Sequence, residues 1–327
     1  MNSKILIIRF SSIGDIVLTS PIIRCIKEQL DQVEIHFLTK EKHKDLLRAN
    51  PYIDHLHLYN SNLSDIIKQL QKENFDYIID LHHNLRSHII KQNLRTKAYS
   101  LQKLNVKKWL LVKFKINILP HVHIVDRMMD TVAPLGVEND NNGLDYFIPK
   151  EENYPFGQIP DSFPRKYVAI VLAGTYFTKR LPAKKHLEVI QQLDVPFILL
   201  GGKNEVKLAR EIEKQTTQNV LNLCNKLTIN QSASIVKNAT LIVANDTGLM
   251  HIAAAFKKKI LSIWGSTTPE LGMTPYLAHP ASKKQKVEGL NCQPCSKIGR
   301  HSCPKKHFRC MLNQNTTEIA NWINKNF

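Results

Sequence analysis

Residues 245–255, NDTGLMHIAAA, set Asn245, Asp246, Thr247 and Gly248 between an apolar strand-like run and a helical one. The first turn of a helix leaves N–H groups without intrahelical partners at the positive end of its dipole. A glycine there lets a ligand approach the backbone, so this turn suits a phosphate or diphosphate. Thr247 adds a hydroxyl donor and His251 follows one turn later, on a side that could face a ligand or pack beneath it. An ordinary N-cap by Asp246 or Thr247 is the alternative use of the same residues. After Leu172 the loop AGTYFTKRLP offers Thr175, Thr178, Lys179 and Arg180 as hydroxyl and cationic partners for the same anion. For Lys179 the competing reading is a solvated surface lysine. After Leu200, GGKNE turns at Gly201 and Gly202 and carries Glu205, a carboxylate that could accept from ribose hydroxyls.

In the first half, Ser11, Ser12, Gly14 and Asp15 fill the turn after the opening apolar run. Asp15 there could take a proton from an attacking hydroxyl as general base, or simply cap the next helix. Near the C-terminus, Cys292-x2-Cys295-x7-Cys303-x6-Cys310, with His301 and His307 close by, resembles a structural zinc site. Reduced thiols in a loop are the other reading, because the spacing between the pairs is shorter than in common zinc ribbons. Cys25 and Cys224 read as core residues. The sequence has neither G-x-G-x-x-G nor a Walker motif, which leaves dinucleotide and ATPase readings without their usual support.

These loops need elements to hold them. Apolar strand runs are expected at Lys4 to Phe10, Val33 to Leu38, HLHLY (55–59), Tyr77 to Leu81, Tyr167 to Leu172, Pro196 to Leu200, Val220 to Leu223, Leu241 to Ala244 and Ile260 to Trp264. Helices are expected between them, at Ile16 to Leu30, EKHKDLLRAN (41–50), Leu63 to Lys72, Ala183 to Leu193, up to about Gln215, Ile229 to Lys237 and Leu249 to Phe256. A capped terminal helix starts at Thr316, Thr317 and Glu318. Alternation of this kind implies βαβ units with parallel sheets, and its restart after a stretch rich in Asn, Asp, Pro and Gly (136–166) implies two Rossmann-like domains facing a central cleft. The expected division is 1–155 and 156–327. From Lys91 to Lys115, lysines interleave with Leu104, Val106, Trp109, Leu110, Leu111, Val112 and Phe114. That segment reads either as a membrane-surface or acceptor-facing helix or as a half-buried helix with a solvated cationic face.

At 327 residues, with 43% hydrophobic and 22% charged, the chain can bury two ordinary cores. It has no apolar run long enough to span a bilayer, and Arg9 interrupts the opening run, which reads as a strand and not a signal peptide. A cytoplasmic enzyme with reduced thiols is the expectation. A net charge of +17 calls for an anionic partner. Nucleic acid is disfavoured by the missing helix-turn-helix, zinc-finger and RNA-recognition signatures and by an ordinary 7% of aromatics.

Taken in order, IIRFSSIGDIVLTSPII, GTYFTKRLP, LLGGKNE and NDTGLMHIAAA resemble the ADP-heptose:lipopolysaccharide heptosyltransferases, glycosyltransferase family 9, along nearly the whole chain. The resemblance implies an α/β GT-B fold with an acceptor-binding N-terminal domain and a donor-binding C-terminal domain. It also implies inverting transfer that requires no cofactor or metal. Asp15 matches the proposed base; Lys179 and Thr175 match positions near the donor phosphates, and Glu205 one near the ribose. Asp246, Thr247, Gly248 and His251 match the diphosphate and sugar motif, and Asp80, Arg86 and Ser87 a segment lining the acceptor side, with Ser11, Ser12 and Gly14 in the acceptor-facing turn. The implied partners are ADP-heptose and a phosphorylated glycolipid acceptor, with a monomer in peripheral contact with the anionic cytoplasmic face of the inner membrane. His82 and His83 stand where many members carry Gln-Gly, and the cysteine loop is absent from the best-known members. Two other readings remain beside this one: a GT-B enzyme using another nucleotide sugar for a surface glycan, and a non-catalytic protein binding nucleic acid or membrane through its basic surface.

Overall fold

The computed structural model describes residues 3–153, 159–160 and 162–327. The chain divides into two compact units, one made of Met1–Lys103 with Val122–Pro149, the other of Leu104–His121 with Lys150–Phe327. The boundary expected at 155/156 lies outside the described residues.

In the first unit five parallel strands, β1 (Ser3–Ile8), β2 (Val33–Lys40), β3 (His55–Tyr59), β4 (Tyr77–Asp80) and β5 (Lys97–Ser100), stand in the order β3-β2-β1-β4-β5. Helices α1 (Ile13–Val17), α2 (Ser20–Gln29), α3 (Leu63–Gln71) and α4 (Leu85–Leu94) connect them. Strand β1 is flanked on both sides, so Ile5 to Ile8 are fully buried and no polar alternation survives. The single helix expected over Ile16 to Leu30 is two. Pro21, which has no backbone N–H to donate, sits in the first turn of α2, and Thr19 separates the pieces. Residues 41–46 form a 3-10 helix rather than an α-helix. Arg24 on α2 is 4% exposed. It pairs with Asp140 at 2.7 Å and with Asp145, and donates to the Gly143 carbonyl, tying residues 140–145 to the unit.

The second unit takes in α5 (Asn105–Phe114), while α6 (Ile124–Met129) returns to the first. Strands β6 (Val168–Val171), β7 (Phe197–Leu200), β8 (Val220–Asn222), β9 (Leu241–Asn245), β10 (Lys259–Trp264) and β11 (Lys283–Lys286) form a parallel sheet ordered β11-β10-β9-β6-β7-β8. Read from its first strand outward, that is the 3-2-1-4-5-6 order of a dinucleotide-type doubly wound sheet. Helices α7 (Ala183–Ile190), α8 (Val206–Gln215), α9 (Ile229–Asn238), α10 (Gly248–Ala255), α11 (Arg309–Leu312) and α12 (Thr316–Asn326) complete the unit. The cap of α12 is Asn315, whose side chain accepts from the Glu318 N–H, rather than Thr316 or Thr317.

Candidate active site

The order in which strands are added reverses between β1 and β4 in one sheet and between β6 and β9 in the other, and loops at such switch points form the ligand crevices of doubly wound sheets. The candidate residues gather at these two places, and each unit is taken separately.

In the first unit, Ser12 is the N-cap of α1 and Asp15 its third residue. Asp15 Oδ2 accepts from the Ser12 N–H at 3.0 Å and from Ser12 Oγ at 2.6 Å. Its other oxygen pairs with Arg9 at 2.5 Å. The capping role therefore holds, and Asp15 keeps 23% side-chain exposure. Arg9 also donates to the Ser11 and Leu81 carbonyls, bridging the loops after β1 and β4. Its only sign in the sequence is a cation ending an apolar run. Beside it, the His82 ring packs edge-on against Phe10, and its buried Nδ1 has no hydrogen-bond partner among the described residues. Burial, with Arg9 next in effect, pushes the His82 imidazole down to about 4, so it is neutral near pH 7.

Asp80 and Ser87, matched to the acceptor-side segment, are fully buried. Asp80 accepts from the backbone N–H groups of His82 and His83 and pairs with Lys91 at 2.9 Å; Ser87 completes a capping box with Asn84 at the start of α4. Both shape the loop from beneath. Arg86 is exposed, 5.9 Å from the Tyr59 ring centre. Gly14 is buried in α1, while Ser11 and Ser12 lie at the surface of the turn.

In the second unit, β9 delivers Asn245, whose amide donates to the Leu172 carbonyl at 3.2 Å while its Oδ1 accepts from the Leu181 N–H at 3.3 Å. Asn245 thereby fixes both ends of the 172–181 loop. Within that loop Lys179 reaches Asp246 at 2.7 Å, with 13% and 14% of the two side chains exposed. Thr267, in a G-S-T-T loop after β10 that the sequence reading passed over, donates to the same carboxylate at 2.9 Å. Asp246 is therefore occupied, and Thr247, the N-cap by position, makes no side-chain cap bond. The side-chain cap that the alternative reading expects from Thr247 or Asp246 is therefore not formed. Asp246 thus holds the Lys179 ammonium beside the first turn of α10.

Glu205 is 4% exposed, accepts from the Gly202 N–H at 2.9 Å and pairs with Arg180 at 3.1 Å. Its carboxylate braces two loops, and Arg180 is spent on that brace and on the Gly174 carbonyl. Thr175 is exposed on its loop, whereas Thr178 is buried and bonded to Ser266 and to the backbone of Arg300. Gly248 opens α10, and His251 is 2% exposed, packed beneath the turn rather than presented by it. At Gly265 a Cβ would lie 2.8 Å from the Thr178 carbonyl, so only glycine permits the loops after β6 and β10 to approach this closely. Also in this unit, a pocket of about 550 Å³ is lined by Leu111 and Lys115 of the basic apolar segment together with Thr268, Glu270, Lys286 and neighbouring residues.

The cysteine loop does not form a ready metal centre. Cys292 Sγ lies 3.8 Å from His307 Nε2, but trios of ligand atoms within 4.8 Å of one another occur, among the described residues, only as Glu34–His36–His55 and His36–His57–Glu73 on the first sheet. Burial raises the Cys295 thiol above its usual range and pushes Cys310 up to about 12, with the neighbouring thiols adding to both. The histidine trios are already joined by hydrogen bonds, His36 to Glu34 at 3.0 Å and to His57 at 2.8 Å.

Glycosyltransferase family 9 (heptosyltransferase) matches residues 63–307 of the sequence. The chain belongs to that family. Lipopolysaccharide heptosyltransferase 1 of Campylobacter coli is 24% identical over 288 residues, 81% of this chain and 84% of that one. Among solved structures, the Escherichia coli ADP-heptose lipopolysaccharide heptosyltransferase II superposes with a TM-score of 0.74 at 18% identity, covering 98% of both chains. The E. coli heptosyltransferase WaaC with ADP gives 0.70 at 17%, covering 99% of this chain and 100% of that one. The fold of this family 9 enzyme is thus GT-B, and its class is glycosyltransferase.

Proposed function

We propose that the protein transfers heptose from ADP-heptose to the lipopolysaccharide inner core, with inversion and without a metal ion. The observation that carries this reading is the pairing of an uncapped α10 N-terminus with Lys179 at the switch point of the second sheet. ADP-heptose is named for one structural neighbour and ADP for another, which supports the same donor here.

In this reading the second unit binds the donor. Lys179 and the backbone N–H groups at Gly248 and Leu249 face the diphosphate, with Thr175 and Thr247 adding hydroxyl donors. The acceptor, held by the first unit, offers a hydroxyl whose oxygen attacks the anomeric carbon. The bond from that carbon to the diphosphate breaks, its electron pair leaves with the diphosphate, and the hydroxyl proton passes to the Asp15 carboxylate. Charge growing on the leaving group is stabilised by Lys179 and the helix terminus, groups already in position before the reaction. Arg9 orients Asp15 between the loops it bridges.

Incubation with ADP-heptose and Kdo-lipid A, followed as ADP release, tests the reading. Turnover that is lost in Lys179→Ala and Asp15→Asn supports it. Preference for a UDP- or GDP-sugar would move the assignment to another surface glycan.

A further inference from the structure

From the sequence, helix α5 is open to two readings, a membrane-surface or acceptor-facing helix and a half-buried helix with a solvated cationic face, and its burial is uneven. Within Asn105–Phe114 only Leu111 is buried, and with Leu104 and Leu119 it packs on Leu271 of the second unit. Leu110 and Val112 are half-buried, and the remaining large apolar side chains are exposed: Val106 is 71% exposed, Trp109 52% and Phe114 52%, followed by Ile116 at 52% and Ile118 at 49%. Trp109 and Phe114 meet edge to face at 5.1 Å, which makes the exposed surface continuous across the helix. The segment is held in place: the Lys115 ammonium donates to the Val112 carbonyl at 2.9 Å and to the Pro294 carbonyl at 2.5 Å. A soluble chain rarely leaves so many large apolar groups together in water without a use for them.

The segment itself carries charge of one sign, while Glu270 and Glu288, which share a pocket with Leu111 and Lys115, are paired with Lys286. Between Asp80 and Asp126 the sequence has no Asp or Glu, while Lys107 and Lys113 are exposed and Lys108 is half-exposed on α5 itself. Two copies meeting through this face would set lysines against lysines. A nucleic acid would gain from the lysines but leave the protruding Trp, Phe, Ile and Val without a partner. The interface of an anionic bilayer satisfies both: aromatic and aliphatic groups enter the headgroup and acyl boundary while lysines stay at lipid phosphates.

We propose that α5 with residues 116–118 is a membrane-docking surface that inserts Trp109, Phe114, Ile116 and Ile118 into the anionic leaflet carrying the acceptor. Its purpose rests on the glycolipid reading above; its test does not. The probes are vesicles of phosphatidylethanolamine with about 30% phosphatidylglycerol, an anionic surface of the kind that attracts polybasic segments, and neutral phosphatidylcholine vesicles. Binding is read by co-sedimentation and by tryptophan emission. Trp264 and Trp322 are 1% and 8% exposed, so a blue shift on binding reports Trp109.

The expected result is binding to anionic vesicles that weakens with salt, with a blue shift. It falls about tenfold or more in Trp109→Ala/Phe114→Ala, and by a similar factor in Lys107→Gln/Lys108→Gln. Unchanged thermal midpoints in both variants keep a folding defect from mimicking the effect. Wild-type binding in the apolar variant, equal binding to neutral vesicles, or self-association through Trp109 in place of vesicle binding would each overturn the proposal. Vesicle binding by a protein that releases no ADP from ADP-heptose would leave the docking surface standing and remove the donor assignment alone.

Discussion

Replacing Lys179 by alanine removes a cation held 2.7 Å from Asp246 in a site where both side chains are mostly covered. Unit charges about 4 Å apart at an effective dielectric near 20 interact by about 4 kcal/mol, an upper bound for one ammonium facing one phosphate oxygen. Only the part that grows as the bond breaks affects kcat. Loss of a single group stabilising a developing charge costs about 3–4 kcal/mol, or roughly 100- to 1,000-fold in kcat. Lys179→Ala carries a second penalty, since Asp246 then faces the diphosphate without its counter-ion. At about 6 Å that repulsion is at most about 3 kcal/mol by the same arithmetic. The double variant Lys179→Ala/Asp246→Asn is therefore expected to recover roughly tenfold over Lys179→Ala, a coupling that a double-mutant cycle measures. The assay is coupled ADP release under saturating acceptor, with kcat and KM separated. A Lys179→Ala enzyme within a few-fold of wild type would refute the role of Lys179. A double variant slower than Lys179→Ala would refute Asp246 as a holder and make it a direct sugar contact.

Asp15→Asn keeps an oxygen to accept from the Ser12 N–H but cannot take a proton, so kcat should fall about 100- to 10,000-fold, and because Arg9 loses its paired charge the melting temperature should fall as well. Asp15→Ala should in addition lose about 1 kcal/mol of stability with the cap, read by denaturant titration. Arg24→Ala leaves Asp140 and Asp145 without their common cation and should destabilise the first unit by about 3–5 kcal/mol. Burial pushes the imidazoles of His57, His82 and His186 down to about 4 from an ordinary 6.5. Between those pH values the unfolded chain binds more protons than the folded one, so stability is full above pH 6.5 and falls as pH drops toward 4. For the fully buried His186 the loss is of order 2–3 kcal/mol, and His186→Gln should flatten the curve.

Most of both sheets could be read from the sequence, because their central strands are buried on two faces and appear as the unbroken apolar runs ILII, VAIV, FILL and LIVA. The two strands that went unread, KAYS of β5 and KKQK of β11, are sheet edges, where solvent permits lysine and the apolar signal vanishes. Helix α5 was visible as a basic apolar segment, but sequence could not say which of its residues stay uncovered, since burial there depends on Leu271 and Pro294, far along the chain. The second-half site was legible residue by residue and not as pairs. Lys179 and Asp246 were both marked for the anion, yet their ion pair forms only because β6 and β9 are neighbours. Asp80, Ser87 and Glu205 were marked at loop ends from their chemistry, and their burial and their bonds to those loops came only with the structure. Arg9 and Thr267 were missed because each acts on a residue in another part of its loop or strand order.

The most direct test of the donor and reaction assignment is product analysis with competing donors. The purified protein is offered ADP-heptose, UDP-glucose and GDP-mannose together with Kdo-lipid A, and nucleotide release, acceptor mass and anomeric configuration are measured. The account predicts ADP as the nucleotide released, a gain of one heptose on the acceptor and inversion at the anomeric carbon in the presence of a chelator. Release of UDP or GDP, retention of configuration, or activity abolished by the chelator would contradict it.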